Sequence, residues 1–298
     1  MAGNLDAPEA QTPKAGHPEE HTGFYVKGAE SLDWGMKNRL ARIFNPKSRK
    51  ALMMAIDHGY FEGPIAGLEQ VDLSVAPLLS HVDALMLTRG MLRTSVPPWF
   101  RQSVVLRASA GPSILKELSN EHLAVDIQEA IRLNAAALAV GAFIGSEFET
   151  QTVLNLTRMV DLASPNGIPV LAVTATTDED TPHDAKYFRM ACRICAELGA
   201  QFVKTYYVAQ GFETVTSSCP IPVVIAGGGK VPELEALTMA HRALGEGAAG
   251  VDMGRNIFQS EAPLAFLQAL RAVVHDGEPP ASAYKLYCSL KESHARQK

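Results

Sequence analysis

Eight short runs of Ala, Val, Ile, Leu and Met recur along the chain, and segments with helical spacing separate most of them. Polar residues do not alternate with apolar ones inside the runs, which is typical of strands buried on both faces. Eight such units predict an α/β fold, a closed (β/α)8 TIM barrel, with a doubly wound open sheet as the alternative. The predicted strands cover residues 51–57, 84–88, 104–109, 137–145, 168–174, 201–207, 221–226 and 248–253.

The chain length of 298 residues fits a barrel of this kind as a single domain. Residues 1–22 are rich in Pro, Glu, Gly and His and lack apolar periodicity, so they predict a disordered N-terminal tail. We therefore expect residues 23–298 to form the barrel, with helical additions at both ends.

Several helices are expected around the repeating units. Residues 27–45 predict an amphipathic helix with Ser31 as its N-cap and Trp34 on its apolar side. Residues 120–134 predict a helix before the fourth strand. From Ser282 onward, apolar residues at helical spacing predict an added helix, which we expect to dock on a neighbouring subunit.

Charge and composition exclude several classes of function. A net charge of −5 gives neither a basic surface for nucleic acid nor a polybasic membrane segment. No apolar run approaches the roughly 20 residues of a membrane helix, and the N-terminus lacks the basic start and apolar core of a signal peptide. We expect a soluble cytoplasmic protein that binds neither nucleic acid nor membranes.

The four cysteines fit reduced thiols rather than a disulfide framework. Cys192 and Cys195 match a C-x-x-C pattern, but they lie in a helical run without a second pair or a histidine at ligand spacing. This context indicates a core-facing role rather than redox or zinc chemistry. Cys219 precedes a proline and is expected to be a buried, inert thiol. We therefore expect no metal site.

The sixth predicted strand carries one lysine, Lys204, among apolar residues. A lysine in such a strand must pair with an acid, extend to the surface or lose its charge. A neutral lysine is a nucleophile towards ketones and forms Schiff bases. From this segment alone, an edge lysine whose amine reaches solvent is the alternative.

Other polar residues stand at the carboxyl ends of predicted strands, where barrel enzymes build their active sites. Asp57 closes the first strand and is the best acid–base candidate, with a hydrogen bond to the following turn as the structural alternative. His58 fits either a proton relay near neutral pH or an orienting donor. Arg89 and Arg107 fit either substrate binding or structural ion pairs.

Glycine-rich turns follow the seventh and eighth predicted strands, where barrel enzymes commonly hold phosphate. Glycine lets backbone N–H groups approach an anion closely, although tight turns need glycine for other reasons as well. Gly227 and Gly228 lie in the first turn and Gly254 in the second, while Lys230 and Arg255 would add positive charge. The two turns together predict a phosphate site.

Four motifs at these strand ends resemble the archaeal-type class I aldolase family. They read Ile56-Asp-His-Gly-Tyr60, Val203-Lys-Thr-Tyr-Tyr207, Val224-Ile-Ala-Gly-Gly228 and Val251-Asp-Met-Gly-Arg-Asn-Ile-Phe-Gln259. Segments 29–36, 42–47 and 117–121 are similar to a thiolase branch of that family. The resemblance runs from about residue 24 to residue 290 and implies a barrel that forms large homo-oligomers, as rings or double rings.

The resemblance also implies roles for individual residues. It makes Lys204 the Schiff-base lysine, kept partly neutral by its apolar strand and by nearby cations, and Asp57 the family's strand-one aspartate. The residues that it assigns to phosphate are Gly227, Gly228, Gly254 and Arg255. In the thiolase branch, the implied reaction moves the acetyl group of a phosphorylated diketone to coenzyme A, a co-substrate, with no bound cofactor.

Two positions depart from the family pattern. The fifth predicted strand ends in Ala172-Val-Thr-Ala175 and lacks the tyrosine that serves as acid–base in fructose-bisphosphate aldolases, which favours the thiolase branch. Where the family pattern reads Gly-Gly-Lys-Lys, this chain reads Gly227-Gly-Gly-Lys230, so one charge near the phosphate is missing.

Three other functions remain open from the sequence. One is a Schiff-base aldolase that cleaves a sugar phosphate without coenzyme A. Another is a non-catalytic barrel that binds a sugar phosphate, although an intact Lys204 and Asp57 argue against it. A metal-dependent class II aldolase is the most distant, because no suitable His and Glu set can be assembled.

Overall fold

The computed structural model of the chain describes residues 23–175 and 183–296, so the predicted tail over 1–22 lies outside the described residues. Eight parallel strands close into a barrel in chain order. The first strand pairs with the last, with Ala51 opposite Gly250. This closure confirms the (β/α)8 barrel, and the open-sheet alternative is wrong.

Six of the eight barrel strands end earlier than the apolar runs that predicted them, whereas the last two end at the predicted residues, Ala226 and Met253. In those six, the last residues of the run, such as Asp57 two residues beyond the first strand, enter the loops at the carboxyl end. The barrel strands are β1 (Ala51–Ala55), β2 (Ala84–Leu87), β3 (Ser103–Arg107), β6 (Ala137–Gly141), β7 (Val170–Val173), β8 (Phe202–Tyr206), β9 (Val223–Ala226) and β10 (Gly250–Met253), and a separate antiparallel ribbon contains β4 (Ser109–Ala110) and β5 (His122–Leu123).

Burial on both faces of the sheet explains why the runs are continuous. Met53, Leu171 and Phe202 belong to the cluster that fills the barrel interior, whereas Leu52 and Val203 pack outward under the helices. Successive side chains of a strand point to opposite faces. Lys204, two residues after Phe202, therefore points into the barrel.

Helices follow the strands and cover the barrel. The helices are α1 (Trp34–Ile43), α2 (Gly59–Glu62), α3 (Val71–Ser74), α4 (Arg89–Ser95), α5 (Ile127–Arg132), α6 (Glu149–Ala163), α7 (Ala185–Glu197), α8 (Phe212–Ser218), α9 (Glu233–Gly245), α10 (Arg255–Phe258), α11 (Pro263–Asp276) and α12 (Pro280–Arg296), with 3-10 turns at Ala76–His81 and Ser164–Asn166. No helix in the described ranges is long and apolar enough to cross a membrane.

The helix expected over 120–134 is shorter than predicted. It begins only at Ile127, because the Asp126 carboxylate caps it by accepting from the Gln128 N–H at 2.7 Å. The preceding residues form β5 and pair with β4 instead. This ribbon brings Glu121 towards the open end of the barrel, which the helix prediction did not anticipate.

Helix α1 closes the amino end of the barrel. It buries Met36, Leu40 and Ile43. The predicted N-cap, Ser31, is wrong: Asp33 caps the helix by accepting from the Met36 N–H at 3.0 Å. Trp34, expected on the apolar side, is 78% exposed, because it is the first residue of the helix and points away from the barrel.

Helix α12 packs on α9 and α11 of its own barrel, and its docking on a neighbouring subunit stays a prediction. It buries Ala283 and Tyr287, and the Tyr287 ring meets the edge of Phe266 with 6.3 Å between ring centroids.

Among the thiols, Cys192, Cys195 and Cys219 are free and buried. Burial raises the pKa of the Cys195 thiol to about 12, as expected for an inert core residue.

Candidate active site

A cavity of about 210 Å³ opens at the carboxyl end of the barrel, lined by residues from the ends of the eight strands. The structure brings most of the predicted site residues together there, namely Asp57, His58, Lys204, Gly227, Gly228, Gly254 and Arg255. Lys230 lies outside this cavity, and its Nζ donates to the Val231 carbonyl and to Glu233 Oε1 at 3.0 Å. Arg89 is exposed at the start of α4, also outside the cavity.

Lys204 lies on β8 at the centre of the cavity and is 9% exposed. Its Nζ is 2.7 Å from Asp252 Oδ2 and 3.8 Å from the sulfur of Met86. Cations were expected near this amine. The structure instead places a carboxylate beside it, so the lysine is held in a buried ion pair.

Asp252 is a site residue that the sequence analysis missed. It lies on β10, is 1% exposed and lines the cavity. Burial raises the pKa of its carboxyl group, and the neighbouring Lys204 opposes that rise. A signal was present in the sequence, because Asp252 is an acid inside an apolar strand, the same criterion that identified Lys204.

Asp57 lies beside a positively charged partner, the buried Arg107. The Arg107 guanidinium is 3.7 Å from Asp57 Oδ2, donates to the Tyr60 hydroxyl at 2.8 Å and forms a buried ion pair with Glu121. Burial alone would lower the pKa of Arg107, but Glu121, Tyr60 and Asp57 together raise it. Arg107 is therefore a permanently charged residue that holds Asp57 at the cavity wall.

Glu121 completes this group; it ends the 117–121 segment that resembles the thiolase branch, but nothing in the sequence predicted a role for it in the site. Ser109 donates to its Oε2 at 2.6 Å and accepts from the Gly141 N–H at 2.9 Å. The Tyr60 hydroxyl also donates to the Glu121 carboxylate. We refer to Asp57, Tyr60, Arg107, Ser109 and Glu121 as the Arg107 cluster. Because Arg107 already faces two carboxylates, Asp57 and Glu121, it is not free to bind a substrate anion.

His58 lines the cavity in its neutral form. Burial is the main reason that its pKa falls to about 4, since the nearby Lys204 and Arg255 lower it further and Asp57 only partly opposes them. Its Nδ1 has no hydrogen-bond partner among the described residues. A histidine with this pKa suits an orienting hydrogen bond better than a proton relay near neutral pH.

A buried amide joins the two glycine turns. Asn256 is fully buried; its Nδ2 donates to the Gly227 carbonyl at 2.7 Å and the Gly229 carbonyl at 3.1 Å, and its Oδ1 accepts from the Val231 N–H at 2.9 Å. A Cβ at Gly254 would lie 2.6 Å from the His58 ring, so a larger residue does not fit there. The turns are thus held at a fixed separation.

Arg255 is the cation of the cavity that is not already paired. It lines the cavity beside Gly254 and has no carboxylate partner among residues 23–175 and 183–296. Arg107 and Lys204, the other cations in the lining, each face a carboxylate. The glycine turns with Arg255 are therefore the part of the cavity best suited to an anion.

The end of β7 carries small side chains. Thr174 and Ala175 line the cavity there, and both the N–H and the hydroxyl of Thr174 bond to the Lys204 carbonyl, at 2.9 and 3.1 Å. Neither side chain can act as an acid or a base in water.

In the described part of the chain, no group of three or more His, Cys, Asp and Glu side chains is arranged to hold a metal ion.

Comparison with known proteins places the chain in a family. The family model described as "DeoC/LacD family aldolase" matches residues 51–260. A protein of Enterobacter sp. (strain 638) named 3-hydroxy-5-phosphonooxypentane-2,4-dione thiolase is 55% identical over 94% of this chain and 95% of its own length. A protein of the same name from Escherichia coli K12 is 50% identical over 98% of this chain and 100% of its own.

The same comparison finds relatives and structures with aldolase names. An uncharacterized aldolase of Pasteurella multocida is 55% identical over 92% of this chain and 94% of its own length. Among solved structures, an archaeal fructose 1,6-bisphosphate aldolase superposes with a TM-score of 0.71 at 24% identity, covering 81% of this chain and 99% of its own, which supports the fold. The chain belongs to the DeoC/LacD family of aldolases.

Proposed function

We propose that the protein is an acyltransferase, a thiolase that moves the acetyl group of 3-hydroxy-5-phosphonooxypentane-2,4-dione to coenzyme A. The products are acetyl-CoA and dihydroxyacetone phosphate. The observation that carries the proposal is Lys204, a buried amine at the centre of a cavity whose unpaired cation is Arg255. Relatives at 50–55% identity that bear the thiolase name support it.

In the proposed mechanism, the Lys204 ammonium gives up a proton within its ion pair, and the free amine adds to the ketone nearest the phosphate. Loss of water from the resulting carbinolamine gives a protonated imine. The thiolate of coenzyme A adds to the acetyl carbonyl, and the bond between that carbon and its hydroxylated neighbour breaks. The electron pair of the broken bond moves into the imine and gives an enamine. The proton lost by the thiol ends on the enamine carbon, and water then releases dihydroxyacetone phosphate from Lys204.

The phosphate end of the substrate is assigned to the glycine turns. Backbone N–H groups at Gly227, Gly228 and Gly254 and the Arg255 guanidinium are the proposed contacts, because Arg255 has no described carboxylate to compete with the phosphate. Lys230 could add a contact only by leaving Glu233. Gly229 stands where the family pattern has a lysine, so the proposed phosphate site has one positive charge fewer. The backbone N–H donors remain in place.

Asp57 and His58 are the proposed acid–base and orienting groups. Asp57 lies in the cavity lining and is fixed by Arg107, so it can take a proton from the thiol or from the carbinolamine during imine formation. Neutral His58 can donate or accept a hydrogen bond but carries no charge near pH 7. No residue role in this scheme calls for a metal ion.

Coenzyme A is a co-substrate in this proposal, and no cofactor is bound permanently. The proposed setting is the cytoplasm, where reduced thiols such as Cys192 and Cys195 persist. We also propose that the protein forms a large homo-oligomer and acts in autoinducer-2 catabolism, downstream of quorum sensing, on the basis of its family resemblance. Neither nucleic acid nor a membrane is a proposed partner.

The thiolase is distinguished from a sugar-phosphate aldolase by its products. We expect acetyl-CoA to form from the phosphorylated pentanedione only when coenzyme A is present. Fructose 1,6-bisphosphate should stay uncleaved, because Thr174 and Ala175 follow β7 where the aldolases carry a tyrosine. Lys204→Ala should abolish turnover without unfolding the barrel. Product analysis by mass spectrometry, with circular dichroism for the variant, measures both.

Each alternative predicts a different result in the same assay. Sugar-phosphate cleavage without coenzyme A would make the protein an aldolase and contradict the proposal. Tight binding of the phosphorylated substrate without any product would indicate a non-catalytic barrel. A Lys204→Ala variant with near-full activity would exclude Schiff-base chemistry at this residue.

A further inference from the structure

The three buried carboxylates of the cavity, Asp57, Glu121 and Asp252, differ in how their charge is balanced. Asp57 and Glu121 face Arg107, whose charge does not change. Asp252 faces Lys204, and within the described residues that amine is its one ion partner, 2.7 Å away. Asp252 Oδ1 has no hydrogen-bond partner among the same residues. The state of Asp252 therefore depends on the charge of a single nitrogen.

That nitrogen changes charge during Schiff-base chemistry. It is positive as an ammonium group and as a protonated imine, and it is neutral as an enamine. When the enamine forms, a carboxylate at Asp252 would be buried without a cation, which is strongly unfavourable. A proton on Asp252 removes this penalty. The ion pair of iminium and carboxylate and the neutral pair of enamine and carboxylic acid both leave the site without net charge.

The proton also has a nearby destination. The enamine carbon that must gain a proton is two bonds from the Lys204 nitrogen, and Asp252 lies within hydrogen-bond distance of that nitrogen. The end of β7 offers no alternative donor, since Thr174 and Ala175 occupy it. Asp57 Oδ2 is instead directed towards the Arg107 guanidinium, 3.7 Å away, whereas Asp252 Oδ2 is directed towards the Lys204 nitrogen.

We propose that Asp252 is a catalytic acid–base residue that exchanges a proton with the substrate carbon next to the Lys204 imine. In one direction its carboxylate removes a C–H proton from the iminium of dihydroxyacetone phosphate and leaves the enamine. In the other, its carboxylic acid returns a proton to that carbon and restores the iminium. In the full reaction the returned proton is the one that the thiol of coenzyme A has lost. This inference rests on the Schiff base of the proposed function.

Exchange of a substrate C–H proton with deuterium tests this proton transfer in the absence of coenzyme A. Dihydroxyacetone phosphate is incubated in D2O with the wild-type protein or with Asp252→Asn, and loss of the hydroxymethyl proton is followed by NMR. Borohydride trapping with the same compound measures imine formation separately. We expect Asp252→Asn to form the trapped adduct but to exchange the proton about 100-fold more slowly or worse, because a positioned acid–base group contributes about 10²–10⁴-fold.

Asp83→Asn is the matched control. Asp83 lies just before β2, at the opposite end of the barrel, where its carboxylate accepts from the Leu52 N–H at 2.7 Å and lies 3.0 Å from His275 Nε2. Its substitution also disturbs a charged contact of the barrel but leaves the cavity intact. We expect the Asp83→Asn variant to be less stable than the wild type. Its rate of substrate proton exchange per trapped adduct should equal that of the wild type.

The outcomes separate this inference from the proposed function. Proton exchange by Asp252→Asn at the wild-type rate per trapped adduct would overturn the inference. A folded Asp252→Asn variant that traps no adduct would also overturn it, because the residue would then act on imine formation and not on the substrate carbon. If the wild-type protein exchanges the substrate proton but forms no acetyl-CoA, the thiolase proposal is refuted. The comparison with Asp252→Asn still tests the role of Asp252 in that case. A wild-type protein that traps no adduct would refute both.

Discussion

At the scale of single residues, the two buried cations of the cavity have partners of different kinds. Arg107 contacts Asp57, Glu121 and Tyr60, and its own charge stays constant whatever binds in the cavity. Lys204 has Asp252, and the proposed chemistry removes and restores the charge of its nitrogen. The cavity thus has a permanent cation on one side and a cation of variable charge on the other.

His58 gives a prediction about stability and pH. The folded protein keeps His58 neutral until the pH falls to about 4, whereas the unfolded chain takes up a proton near the ordinary value of 6.5. Between these values the unfolded state binds more protons, so stability is complete above about pH 6.5 and is lost as the pH falls towards 4. The loss is at most about 3 kcal/mol, from 1.36 kcal/mol per pKa unit.

The measurement compares the wild type with His58→Asn by chemical denaturation between pH 4.5 and pH 7.5. The difference in unfolding free energy between the two proteins should change across this range, with the wild type losing more stability on acidification. Using the difference cancels the titration of other groups, including Asp252, whose pKa burial raises. A difference that stays constant over the range would show that His58 is not held neutral by the fold.

At the scale of elements, the sequence predicted best the residues that lie on barrel strands or directly after them. Lys204 and Asp57 were found because a charged residue in or at the end of an apolar run needs a partner or a function. The same criterion applied to β10 would have found Asp252. Glu121 could not be found in this way, because it reaches the cavity from the β4–β5 ribbon, whose pairing depends on tertiary contacts with Ser109 and Arg107.

The turns after β9 and β10 depend on one side chain, and this gives a prediction. Asn256→Ala removes the donor to the Gly227 and Gly229 carbonyls and the acceptor of the Val231 N–H. The Gly227 carbonyl is buried, so leaving it unpaired costs about 1–3 kcal/mol, whereas the Gly229 and Val231 groups can turn to water and cost less. We expect lower stability and a higher KM for the phosphorylated substrate, with a smaller change in kcat, because the turns would no longer be held in place.

Asn166→Ala is the matched control, since Asn166 donates one exposed bond to the Leu162 carbonyl away from the cavity. It should change neither the KM nor the stability by more than a few tenths of a kcal/mol. Thermal unfolding and steady-state kinetics measure both variants. If Asn256→Ala lowered only kcat and left the KM unchanged, the turns would not be the phosphate site.

At the scale of the whole molecule, the two ends of the barrel have different tasks. The carboxyl end holds the cavity, whereas α1 closes the amino end and packs the Phe44 ring against Phe202 inside the barrel, with 5.6 Å between ring centroids. Apolar side chains nevertheless remain at the surface of the single chain. Trp34, Trp99 and Leu115 are exposed by 78%, 71% and 86%.

The proposed homo-oligomer is tested through two of these side chains, since Trp34 and Trp99 are the only two tryptophans of the chain. We expect a mass several times that of one chain by light scattering. Tryptophan emission should be blue-shifted in the assembly and should move to the red on dilution, because subunit contacts that bury either ring remove it from water. A monomeric mass, with emission typical of solvated tryptophan at every concentration, would contradict the assembly and leave the chemistry at Lys204 within a single chain.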